Sequence, residues 1–165
     1  MDASDNGRYA RAPELKDLLA LCQALNQQNV RYILIGGFAV ILQGFVRGTK
    51  DIDILVDPSS ENISRVKQAL SYLPDNAISS LVDDEVKKYE VVKIADEIVI
   101  DLMSKACGID YATASQNIEY RCVEGVTIPI AKKELLIRMK QTLRPSDKMD
   151  VEFLTYRLEE EKQKP

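Results

Sequence analysis

An α/β (α+β) fold, a mixed twisted sheet of about five strands flanked by helices, is what this sequence predicts, and three observations carry that expectation. Short apolar runs bounded by turn residues recur along the chain. Stretches whose apolar residues repeat at helical spacing lie between them. No internal repeat, low-complexity tract or compositional boundary divides the 165 residues. We therefore expect a flexible tail over residues 1–12 and a single domain over 13–165.

Taken in order, Pro13 suits the first turn of a helix running to about Gln28. Leu15, Leu18, Leu19, Cys22 and Leu25 share one of its faces. The apolar run Tyr32-Ile33-Leu34-Ile35 predicts a buried strand, followed by Gly36-Gly37 and a short helix from Phe38 to Leu42 that stops near Gly44. The polar loop Arg47-Gly48-Thr49-Lys50 leads into a second strand, Asp51 to Val56. Asp57-Pro58-Ser59-Ser60 is a turn with capping side chains, opening a helix to about Leu73 with Ile63, Val66 and Leu70 inward. Residues 75–88 are polar and acidic, a solvated loop or short helix.

Tyr89–Ala95 and Glu97–Ser104 predict a hairpin around Asp96, and a short helix covers Asp110–Ser115. A second hairpin, Ile118–Val123 with Val126–Ile130, turns at Glu124-Gly125, and Pro129 marks its second arm as an edge strand. A helix from Ala131 to about Leu143 puts Leu136, Met139 and Leu143 on its apolar face. Lys133, Lys140 and Arg144 then line one border of that face, within about 40° of one another. That border is either a solvated flank or a cationic wall for phosphates. Pro145 starts the last helix, with Val151, Leu154 and Leu158 inward.

Composition excludes whole classes of chemistry. The chain has no histidine, so Ser-His-Asp and Cys-His catalysis and His-ligated zinc are unavailable. A net charge of −4 argues against a general nucleic-acid coat protein. Cys22, Cys107 and Cys122 have neither disulfide nor metal-ligand spacing, and are expected to be small buried residues. No stretch has the length of a membrane span or the apolar core of a secretory signal, which makes the cytoplasm the default location.

The chemistry gathers at two places. After Gly36 and Gly37 the first amides of a helix are free to hold an anion such as phosphate, and glycine lets backbone approach a ligand. Asp51 and Asp53, two apart on a strand, point to one face with Cα atoms about 6.5 Å apart. Two such carboxylates repel unless a cation joins them, and hard oxygen ligands suit Mg²⁺ or Mn²⁺. Asp101 is the only charge in the run Ile98–Met103. It either ends its strand in solvent or is a third ligand beside that pair.

This ordered set resembles the signature of the polymerase-β-type nucleotidyltransferase superfamily. Within it, the chain is similar to minimal nucleotidyltransferases related to abortive-infection toxins. The resemblance rests on Gly36-Gly37-Phe38-Ala39, on Arg47 to Asp53, on Asp101-Leu102, on Leu136 to Lys140 and on Arg144 to Asp150, with Ser146 where relatives often carry lysine. It implies a nucleotidyltransferase-like fold with Asp51, Asp53 and Asp101 as catalytic metal ligands for Mg²⁺ or Mn²⁺. It implies Gly36 and Gly37 as the phosphate cradle, Lys140 and Arg144 as phosphate contacts, and Arg47 and Thr49 nearby. The reaction implied is transfer of a nucleoside monophosphate from a nucleoside triphosphate to an acceptor hydroxyl, on RNA or tRNA, a small molecule or a protein. A second reading is a weakly active or non-catalytic partner, the antitoxin-like half of a toxin–antitoxin pair. A third is a domain whose Asp-x-Asp is incidental.

Overall fold

The alternation of apolar runs and amphipathic stretches builds the following order in the structure, a computed structural model that describes residues 10–165. Helix α1 (Leu15–Gln27) leads to β1 (Tyr32–Ile35), α2 (Gly36–Leu42), β2 (Asp51–Val56) and α3 (Ser60–Leu70). A 3-10 turn at Ala77–Ser80 and α4 (Glu85–Tyr89) precede β3 (Val91–Ala95) and β4 (Val99–Met103). A two-stranded ribbon, β5 (Lys105–Ala106) with β6 (Ile109–Asp110), comes next, then α5 (Tyr111–Ala114). The hairpin β7 (Ile118–Val123) and β8 (Val126–Ala131), α6 (Lys133–Met139) and α7 (Pro145–Gln163) complete it.

Six strands form one mixed sheet in the order β3-β4-β2-β1-β8-β7, against the about five expected. The central pairs decide the site. β1 runs antiparallel to β2, and β2 runs parallel to β4 with Asp53 opposite Asp101. β3 returns antiparallel along β4 with Lys93 opposite Asp101. Ile52 and Ile54 alternate with the aspartates and are fully buried, so the apolar half of the strand anchors its polar half. Helix α1 packs on α3 and β8, while α2 packs on β2 and α6, and α6 on α7. Among the described residues no helix is long and apolar enough to cross a membrane.

The tail expectation falls mostly on residues 1–9, which lie outside the described residues. Arg11 is tied down: its amide donates to the Glu97 carbonyl at 3.0 Å, and its guanidinium grips both Asp17 oxygens at 2.7 Å.

Four expectations are corrected. Pro129 does not mark an edge, because β8 lies inside the sheet between β1 and β7. It is tolerated there because the ladder to β1 registers a single pair, Leu34 opposite Ile130, one residue further on. Helix α6 ends at Met139, not near Leu143. Lys140 turns inward to two carboxylates at that point, and Leu143 emerges 89% exposed instead of joining the apolar face. Lys133 leaves the cationic border as well, pairing with Glu161 at 2.7 Å. Of the cysteines only Cys22 is buried, since Cys107 and Cys122 lie at the exposed ribbon and hairpin.

Candidate active site

The period-2 alternation of β2 sends Asp51 and Asp53 to one face, and the parallel register sets Asp101 of β4 directly beside Asp53. One oxygen from each of the three carboxylates falls within 4.8 Å of the others. Asp101 is 7% exposed, so it sits in the body of the sheet and not at a wet strand end. Its charge is answered from β3, where the Lys93 ammonium lies 2.9 Å from Asp101 Oδ1 and 4.0 Å from Asp51 Oδ2.

Electrostatics mark Asp53 as the most frustrated of the three. Burial, reinforced by the charges of Asp51 and Asp101, pushes its carboxyl up to about 8. Burial and then Asp101 also raise Asp51. Asp53 Oδ1 is buried without a hydrogen-bond partner. A bare buried carboxylate oxygen costs free energy unless a cation meets it. Hard oxygens alone make up the donor set, which is the chemistry of Mg²⁺ or Mn²⁺. The residues present fit such an ion.

The two glycines serve this cluster directly. Gly36 has φ +71°, a left-handed conformation, and a Cβ there would overlap the side chain of Asp53, whose Cβ would be only 2.8 Å away. A Cβ on Gly37 would stand 2.7 Å from Thr49 Oγ1. What approaches the glycine backbone is therefore first the protein's own Asp53 and Thr49.

A cleft of about 710 Å³ opens on this face, lined by Gly37, Arg47, Thr49, Lys50, Asp51, Asp53, Lys140, Arg144, Ser146 and Asp147. A narrower, more apolar recess of about 260 Å³ lies against Gly36 and Asp53, walled by Met103, Leu136 and Met139. Three cations of the cleft, Arg47, Lys140 and Arg144, are held by carboxylates. Arg47 donates to Asp150 at 2.8 Å, and Lys140 lies 2.9 Å from Asp150 and 3.3 Å from Asp147. Arg144 reaches Asp147 at 3.0 Å with its side chain 76% exposed. Thr49 Oγ1 donates to the Asp51 carbonyl at 3.2 Å. Thus Asp51, Asp53, Asp101, Gly36, Gly37, Arg47, Thr49, Lys140 and Arg144 gather at one cleft or its edge, and Lys133 does not.

Sequence reasoning missed Lys93 and the anchoring roles of Asp147 and Asp150. A hairpin register centred on Glu97 would have set Lys93 opposite Asp101.

Residues 14–155 match the family described as a nucleotidyltransferase of unknown function, DUF6036. The chain belongs to that family. This family match reaches nucleotidyltransferases as a class and does not extend to the abortive-infection relatives. The fold of this chain is similar to that of a candidate nucleotidyltransferase from Thermotoga maritima. The TM-score is 0.54 at 18% identity, over 88% of this chain and 92% of that one. At that identity the likeness concerns the fold alone. No curated protein matches the chain.

Proposed function

We propose that the protein is a metal-dependent nucleotidyltransferase that moves a nucleoside monophosphate from a nucleoside triphosphate to an acceptor hydroxyl. The observation that carries this reading is the convergence of Asp51, Asp53 and Asp101, with Asp53 Oδ1 buried and unpartnered. These three carboxylates would hold Mg²⁺ or Mn²⁺, which supplies charge stabilisation at the phosphoryl oxygens when bound. The acceptor oxygen attacks the α-phosphorus, pyrophosphate leaves, and the hydroxyl proton passes to Asp101. Gly36 and Gly37 let Asp53 and Thr49 sit against the backbone at the triphosphate end of the site, while Arg47, Thr49, Lys140 and Arg144 form a polar wall beside it. Asp147 and Asp150 hold Arg47, Lys140 and Arg144 in place before any substrate arrives.

We further place the chain near the abortive-infection nucleotidyltransferases on its motifs, from Gly36-Gly37-Phe38-Ala39 to Arg144–Asp150. One observation favours the second reading, a binding partner with little activity: Lys140 is 7% exposed and already paired with two carboxylates. Incubation with α-labelled nucleoside triphosphates, Mg²⁺ and RNA, small-molecule or protein acceptors decides between them. We expect label transfer that is lost in Asp51→Asn and Asp101→Asn. No transfer to any acceptor would move the protein to the antitoxin-like class.

A further inference from the structure

Lys93 stands where a metal-binding site has no evident use for an ammonium. Strand β3 is an edge of the sheet, and from its antiparallel register Lys93 is delivered across β4 onto Asp101. Its side chain is 58% exposed, so solvent was available as an alternative. The ammonium instead lies on the Asp101–Asp51 side of the cluster, at 2.9 Å and 4.0 Å. Asp53 Oδ1, by contrast, is buried with no hydrogen-bond partner. The cluster is thus lopsided: Asp101 and Asp51 have an ammonium within 4.0 Å, whereas Asp53 has no ion pair among the described residues.

Charge makes that lopsidedness chemical. Fully ionised, as a bound cation requires, three carboxylates and one ammonium leave two negative charges, which one divalent cation neutralises. Two divalent cations added to a retained ammonium would make the cluster positive before any nucleotide entered. Lysine suits a fixed position of this kind because its charge is compact and concentrated on one atom.

We propose that Lys93 is a resident cation filling one of the two positions that paired-metal phosphoryl transfer uses, on the Asp101–Asp51 side. The chain then takes a single divalent ion, on the Asp53 side. This inference rests on the metal-binding reading above and adds the number of ions and the residue that sets it. Lys93 is a positioning residue here: it fixes Asp101 and assigns the open side of the cluster to the ion.

Counting bound Mn²⁺ on the full chain, from the electron paramagnetic resonance signal of the free ion, tests this without any turnover. The wild type should bind one Mn²⁺ per chain, and Lys93→Met and Lys93→Gln should each bind two. Lys93→Arg, which keeps the charge, should bind one. Asp53→Asn should weaken the wild-type site more than tenfold, and Asp101→Asn by a smaller factor. Two ions on the wild type, or one on both neutral Lys93 variants with circular dichroism unchanged, would overturn the proposal. No Mn²⁺ on the wild type or on any Lys93 variant would overturn the metal-binding reading itself, a different result from a wrong count.

Discussion

Two groups of aspartates lie at or behind the same cleft and could hardly be treated more differently. Asp147 and Asp150 carry their cations with them: Arg47, Lys140 and Arg144 all lie within 3.3 Å. Burial pushes Asp147 upward, but the Thr142 hydroxyl, Lys140 and Arg144 outweigh it and hold the carboxyl below its ordinary range. Asp51, Asp53 and Asp101 share one partly exposed ammonium among three, and Asp53 is pushed up to about 8. A bare oxygen is not by itself the difference, because Asp150 also has one, Oδ1, while its Oδ2 meets two cations. What separates the groups is net charge. The satisfied acids organise the wall, and the unsatisfied ones leave a place for a ligand.

Three substitutions break or sharpen that contrast. The largest effect belongs to Asp150→Ala, which strands Arg47 and the buried Lys140 without their common partner. Losing one side of a buried pair costs ~3–5 kcal/mol, and urea unfolding should register a loss of that size. Asp53→Asn should act in the opposite direction, stabilising the ligand-free protein by about 1–3 kcal/mol at neutral pH. The sign follows from the raised carboxyl: the unfolded chain gives up this proton near pH ~3.9, the folded chain only near about 8. Wild-type stability should therefore fall through that window relative to Asp53→Asn, as paired melting curves would reveal. Mg²⁺ with nucleoside triphosphate should raise the wild-type melting temperature and leave Asp53→Asn unmoved. Arg144→Ala should matter least. Its side chain is 76% exposed, so its ion pair is screened, and stability should change by less than ~1 kcal/mol in the same assay.

Legibility in the sequence followed how local each feature is. The same-face placement of Asp51 and Asp53 needs only the period of a strand, so it could be read directly. The neighbourhood of Asp101 depends on a parallel register between segments 48 residues apart, and the run Ile98–Met103 left it between wet strand end and ligand. Lys93 was lost to a hairpin centre set at Asp96. Moving the centre to Glu97 shifts the pairing by two residues, which preserves faces but changes partners. Leu143 failed for the opposite reason: its helical spacing continues past the point where Lys140 diverts the chain. Tertiary ion pairs ended that helix, and no local pattern encodes them.

The alignment of Asp53 with Asp101 has a consequence for the life of the molecule before it is finished. These residues meet only through the ladder joining β2 to β4, so an incomplete chain leaving the ribosome owns the acids but not their grouping. The three carboxylates come together only once β2 and β4 have paired, so the site is made by the sheet and not by any one segment.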